Sequence, residues 1–305
     1  MIHFRKCKEL RFIVMTILGS PWGELSASLW KAMLTERGFG VIERCAFMDL
    51  HYGCEGLVAV ISGGTSGIGL AVAEKLLKDG ARVYLLGRSA ERGAQAVQAL
   101  EQSTGKCAVY VPCDVRKQEE CRQAILAVGK HEGTPAFTMD ILVNSAGVYT
   151  EQRLENVTEA DYAAIMDVNV KGTMFLIQAA LPRMYGGGAI VNVASDAGIS
   201  GNYGCPVYCA SKGAIVALTR ALALDLAPAI RVNCVCPADV DTPLLTKQLV
   251  DAGEGYGLED MEASYPLGRI GRPAEIAHVI CSMVSPANSF MTGSVVAADG
   301  GLTAG

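Results

Sequence analysis

The stretch Leu57-Val58-Ala59-Val60-Ile61-Ser62-Gly63-Gly64-Thr65-Ser66-Gly67-Ile68-Gly69, running on through Leu70 to Lys78, decides the fold. Its first five residues are an unbroken apolar run, the pattern of a parallel strand covered on both faces. Glycines follow, and then apolar residues at helical spacing. Glycines between a strand and a helix let the backbone close in on a pyrophosphate, which the helix N-terminus receives with N–H donors and a positive dipole end. The alternation repeats down the chain. Arg82 to Leu86, Val109 to Val115, Met139 to Val143, Ile190 to Val193 and Arg231 to Cys236 read as further strands, and Phe290 to Ala297 as the last. Glu159 to Met184 reads as one long helix. Strands alternating with helices predict an α/β fold, a Rossmann-type doubly wound parallel sheet, over residues 57–305.

The chemistry lies between Ala189 and Asp225. Tyr208 and Lys212 stand four apart, so a helix over Val207–Leu226 puts them on one face, a turn apart. A phenol titrates near ~10 and a lysine near ~10.4. An ammonium beside a phenol favours the phenolate, which would make Tyr208 a general acid or base near neutral pH. Ser195 comes just past the apolar run ending at Val193, at a strand C-terminus, where open α/β sheets keep their sites. By itself Tyr-x-x-x-Lys is an ordinary pair on a helix face; the serine and the glycine loop set this one apart.

Ser195, Tyr208 and Lys212, together with the G-x-x-x-G-x-G spacing of Gly63, Gly67 and Gly69, resemble the short-chain dehydrogenase/reductase family in its compact single-domain branch. The resemblance runs from Leu57 to the C-terminus. It implies hydride transfer between a nicotinamide cofactor and a secondary alcohol or ketone, such as a sugar, a polyol or a 3-oxoacyl compound. Ser195 would orient the substrate oxygen and Tyr208 would exchange its proton. Lys212 would lower the Tyr208 pKa and hold the nicotinamide ribose, and Asn169 would complete a proton relay to solvent. Ser66 and Ile68 complete the glycine loop. Asp114 and Val115 would meet the adenine. Asn144, Ala146 and Gly147 match the family's N-N-A-G element, with Ser145 second. Pro237, Val240 and Thr242 match P-G-x-V-x-T, with Ala238 in place of glycine; if that position needs a positive φ, Ala238 is strained.

At the end of the second strand an acidic residue would favour NAD. Here Gly87 holds that place and Arg88 follows, and a guanidinium suits the extra phosphate of NADP. NADP(H) is therefore favoured over NAD(H), although Ser66 stands where a second basic residue often sits. Leu244 to Leu267 would be a mobile lid. Tyr149, Asp196, Tyr203 and Cys205 flank the motifs as further pocket candidates. The alternative reading is a catalytically silent dinucleotide sensor or interaction module.

A net charge of −5 without a basic patch argues against a nucleic-acid partner. No apolar run is read as reaching the ~20 residues of a membrane span. Eleven cysteines without paired C-x-x-C spacing or neighbouring histidines suggest thiols in a reducing cytoplasm and no metal site. The apolar residues of the helix after Tyr208 leave it little polar face, so a partner subunit should cover one side. Family members commonly form tetramers through this helix, which implies a homotetramer. The tail, Gly268 to Ala277 and Met291 to Gly301, resembles the family's C-terminus, so no further substrate domain is expected, unlike in the longer epimerase and dehydratase branch. Residues 1–56 form an extension of uncertain role, read as strand (Arg11–Leu18), helix (Glu24–Arg37) and strand (Val41–Phe47). This weakly resembles the opening of a flavodoxin-like FMN reductase, and Met48 is a candidate internal start.

Overall fold

Strand β1 (Val58–Ser62) is buried along its whole length, and the parity of its side chains builds two cores. Val58 and Val60 pack on one side of the sheet with Val128, Leu176 and Ile190. Ala59 and Ile61 pack on the other with Val72, Leu76, Ile276 and Ile280. A strand covered on both faces has no polar side to offer water, which is why its sequence does not alternate.

The computed structural model describes residues 50–134, 137–252 and 257–304. The strand–helix–strand expectation for residues 1–56 lies almost wholly outside them, and so does any flavin site there. After β1 come α1 (Gly67–Lys78), β2 (Arg82–Gly87), α2 (Ala90–Thr104), β3 (Val109–Pro112), α3 (Gln118–His131) and β4 (Ile141–Asn144). The second half carries α4 (Glu159–Met166), α5 (Thr173–Ala180), β5 (Gly188–Val193), α6 (Pro206–Leu226) and β6 (Ile230–Pro237). It closes with α7 (Pro243–Ala252), α8 (Leu258–Ala263), α9 (Pro273–Val284) and β7 (Val295–Ala298). All strand pairs are parallel, in the order β3-β2-β1-β4-β5-β6-β7. The order reverses between β1 and β4, and the carboxyl ends of strands at such a switch point are where open α/β sheets bind ligands.

Four expectations need correction. The single helix over Glu159–Met184 is broken: α4 and α5 flank a π-helical turn, Asp167–Gly172. Wide turns of this kind cluster at functional sites, and this one carries Asn169. The last strand starts at Val295 rather than Phe290, because Gly293 turns the chain at φ +72° and Phe290 is fully exposed. Ala238 is unstrained, since no non-glycine residue has a positive φ among the described residues. Finally, α6 is long and apolar enough to cross a membrane by length and composition. Its inner face carries Tyr208, Lys212, Ile215 and Thr219, all buried against the sheet side of the domain.

Candidate functional site

The glycine loop after β1 is held where only glycine fits. Gly63 has φ +66°, and a Cβ there would lie 2.8 Å from the backbone nitrogen of Ala146 after β4. A Cβ on Gly69 would lie 2.4 Å from the Gly63 carbonyl oxygen. The loop thus packs against both the helix that follows and the neighbouring strand end. Ser66, the residue before α1, makes no side-chain cap, so first-turn N–H groups remain for an anion. A cleft of about 1090 Å³ opens over the switch point. This cradle, an uncapped helix end beneath a long cleft, fits a dinucleotide.

Gly63, Ser66, Gly67 and Ile68 line one end of the cleft, with Arg88, Asp114 and Val115. Ala146 and Gly147 line its middle, and Pro237, Val240 and Thr242 its far wall. Ser195, Tyr208 and Lys212 open into the same space. Three expected residues stand behind it. Gly69 lies under the loop. Asn144 donates to the Asn192 side chain on β5 at 2.9 Å, and Asn192 donates in turn to Thr219 on α6. Asn169 is buried: its Oδ1 accepts from Val148 N at 2.9 Å, and its Nδ2 donates to Val148 O and to Ser211 Oγ, each at 3.0 Å. The π turn therefore fixes the loop after β4. A Cβ on Gly147 would lie 3.5 Å from both Asn169 Oδ1 and Lys212 Nζ, so the two groups face the same small gap.

Ser195 caps the start of the short turn Asp196–Gly198 after β5. Its hydroxyl donates to Asp196 Oδ1 at 2.6 Å and accepts from Ala197 N at 3.2 Å. Asn202 donates to the other Asp196 oxygen at 3.1 Å. Burial pushes the Tyr208 phenol well above its ordinary value, and a hydrogen bond with Ser195 acts in the opposite direction. Burial brings Lys212 down to about 8. The expected ammonium–phenol pairing is not what the side chains make here. Lys212 Nζ donates to Val193 O at 3.0 Å and sits 5.7 Å from the Tyr208 ring centre. Tyr149 stacks edge-on against Tyr208, centroids 4.8 Å apart. Tyr149 and Tyr203 line the cleft and Cys205 does not.

Several residues escaped the sequence reading. Arg92, in the first turn of α2, joins Arg88, in the loop before it, in the cleft wall; the closeness of the two arginines in sequence was the available signal. Arg116 grips Asp114 with Nε at 2.9 Å and Nη2 at 2.5 Å, and this holds the carboxyl below its ordinary value. Tyr265 donates to Asp239 at 2.6 Å, and burial raises the Asp239 carboxyl. Both line the substrate end of the cleft.

A profile of the enoyl-(acyl carrier protein) reductase family matches residues 63–303. The 3-oxoacyl-[acyl-carrier-protein] reductase of Thermotoga maritima is 36% identical over 251 residues, covering 81% of this chain and 98% of that protein. The 3beta-hydroxysteroid dehydrogenase of Mediterraneibacter gnavus is 34% identical over 265 residues, covering 81% of this chain and 94% of its own. A solved glucose/ribitol dehydrogenase structure from Brucella melitensis superposes with a TM-score of 0.74 at 31% identity, covering 83% of this chain and 99% of that one.

Proposed function

The chain belongs to the short-chain dehydrogenase/reductase family and is an NAD(P)-dependent oxidoreductase of alcohols and ketones, and from that premise we propose that Tyr208, Ser195, Lys212 and Asn169 carry its reaction within residues 57–305. The observation that carries the reading is the convergence of Ser195, Tyr208 and Lys212 on one cleft with the glycine loop. The nicotinamide ring, when bound, supplies or accepts the hydride. Ser195 positions the substrate oxygen. Tyr208 gives that oxygen a proton in reduction and takes it back in oxidation. Lys212 supplies positive charge beside the phenol and a donor for the cofactor ribose. Asn169 holds the loop bearing Gly147 and Val148, so that the gap next to Lys212 keeps its shape. Gly63, Ser66, Gly67 and Ile68 would receive the pyrophosphate, with Gly69 letting the loop close beneath it. Asp114 and Val115 would flank the adenine, Ala146 and Gly147 the ribose side, with Asn144 bracing their loop from behind, and Pro237, Val240 and Thr242 the nicotinamide. The substrate is a small secondary alcohol or ketone, sugar-like or 3-oxoacyl, taken in the cytoplasm.

Arg88 and Arg92 together favour NADP(H), because two guanidiniums at the end of β2 suit a ribose phosphate. A charge-assisted hydrogen bond contributes about 1.5–3 kcal/mol. Arg88→Ala should therefore raise KM for NADPH roughly 10–100-fold and leave KM for NADH within about threefold. Equal losses for both cofactors would sink the NADP assignment. The working test of the function is a panel of keto-sugars, 3-oxoacyl thioesters and steroid ketones, followed by nicotinamide absorbance. Turnover of one class fixes the substrate. Cofactor binding without any turnover would favour the silent-sensor alternative.

We also propose a homotetramer. The outward side of α6 presents Ala210, Ala217, Ala221 and Leu224 to solvent, with Leu224 84% exposed. Arg220 is an exposed charge beside them, and an outward face otherwise so largely apolar calls for a second covering surface. Placing a charge in that flat stripe by Ala217→Arg should convert the tetramer into smaller species in analytical ultracentrifugation. An unchanged sedimentation coefficient would place the interface elsewhere.

A further inference from the structure

Tyr208 sits between two cysteines. Cys205 is the residue before α6, and Cys209 lies in its first turn, where its amide donates to Cys205 O at 2.9 Å. Their sulfur atoms are 3.8 Å apart, and both face the Asn202 carbonyl, at 3.6 and 3.9 Å. Cys205 is buried against Tyr149, Tyr208 and Ala197, whereas Cys209 is half-buried. Among the described residues no comparable pair flanks the other cleft residues. Cys113 and Cys121 are both buried in one core, and so are Cys234 and Cys236. Among the described residues, only the pair at Tyr208 combines sulfur proximity, a half-buried member and the Tyr208 side chain between them.

We propose that Cys205 and Cys209 form a peroxide-sensitive dithiol that closes to a disulfide across the turn bearing Tyr208 and switches turnover off, an inference that rests on Tyr208 carrying the reaction. Hydrogen peroxide is the oxidant. The Cys209 thiolate, the reachable one, attacks a peroxide oxygen; the O–O bond breaks, and the products are a sulfenic acid and, after protonation, water. Cys205 sulfur then attacks the sulfenic sulfur. The S–O bond breaks, the hydroxide leaves with the Cys205 proton as a second water, and the S–S bond forms. Two thiols are oxidised and one peroxide is reduced to two waters.

The consequence for Tyr208 is geometric. Cys205 caps α6 from outside its first turn, and its sulfur lies 3.8 Å from that of Cys209, whereas a disulfide holds its sulfurs ~2 Å apart. Closure must therefore tighten the turn that carries Tyr208. Gly204, at φ +70° immediately upstream, is the point where the backbone can yield. Cys205 moves with it, and its contacts with Tyr149 and Tyr208 change. Burial pushes the Cys205 thiol up to about 12, consistent with Cys205 as the second, resolving sulfur rather than the first to react.

Tryptic cleavage after Arg183 and Lys212 leaves both cysteines, and no other, in the single peptide Met184–Lys212. Wild-type enzyme is treated with hydrogen peroxide, assayed, and digested with and without dithiothreitol. The expected result is a loss of turnover of about tenfold or more. The peptide should be lighter by two hydrogens, and reductant should restore both turnover and mass. Cys209→Ser and Cys209→Ala should keep turnover and lose its peroxide sensitivity. Equal inactivation of these variants, or an inactivated wild type whose peptide keeps both thiols, would overturn the proposal. So would a closed disulfide with unchanged turnover. The peptide mass is also read on Tyr208→Phe, so the sulfur chemistry is scored even if Tyr208 proves not to carry the reaction.

Discussion

Tyr208→Phe should lower kcat by about 10²–10⁴-fold, the usual worth of one positioned acid or base, with cofactor affinity within about threefold because only a hydroxyl is lost from the cleft wall. The ring stays packed against Tyr149 and Ala197, so the fold should not change. Turnover is read by nicotinamide absorbance, and cofactor binding by its fluorescence. Burial favours the neutral phenol, and a neutral phenol is the proton donor that ketone reduction needs. Reduction should therefore hold its rate through neutral pH, while alcohol oxidation, which needs the phenolate, should climb as pH rises. The variant should show neither dependence from this group. A Tyr208→Phe rate within about threefold of wild type would remove Tyr208 from proton transfer.

What the sequence shows and what it hides divide along a physical line. Continuous apolar runs such as Val58–Ile61 must be covered on both faces, so strand existence and sheet class are local information. The glycine positions are equally legible, because Gly63 and Gly69 answer to backbone atoms a short way along the chain or one strand over. The π turn at Asn169 is not. It is held by Val148, 21 residues away, and Ser211, 42 residues away, and no periodicity within Glu159–Met184 reports such partners. The position of Lys212 is similar. Spacing puts it on the face of Tyr208, yet its partner is the Val193 carbonyl at the end of a strand that only the fold brings near. Asp239 and Tyr265 are 26 residues apart and meet only because the segment after β6 folds back over the cleft. Charged pairs two to four apart, such as Asp114 with Arg116 or Arg88 with Arg92, were open to inspection; they were missed because no motif pointed at the second member.

Lys212→Met should move stability and activity in opposite directions. The ammonium is buried, and burial brings its pKa down from 10.5 to about 8. At ~1.4 kcal/mol per pH unit this is a cost of about 3 kcal/mol to the folded state wherever the lysine is charged in both states. Methionine has a similar reach and no charge to desolvate. It forfeits the hydrogen bond to Val193 O, a loss of about 1 kcal/mol. The variant should then be more stable than wild type by roughly 2 kcal/mol at pH 7, read as a shift in urea midpoint at unchanged slope. Below pH 8 both folded and unfolded wild type carry the proton, so the cost is fully present. Between about 8 and 10.5 the unfolded chain binds more protons than the folded one, so wild-type stability from this group rises with pH. The gap between the proteins should therefore close and then reverse as pH approaches 10.5. Turnover should fall by about 10²-fold or more, since the positive charge beside Tyr208 and the ribose donor leave together. A variant less stable than wild type at pH 7, or a gap that ignores pH, would mean that the buried ammonium costs the fold nothing. In that case Lys212 would be held by structure rather than retained against it for chemistry.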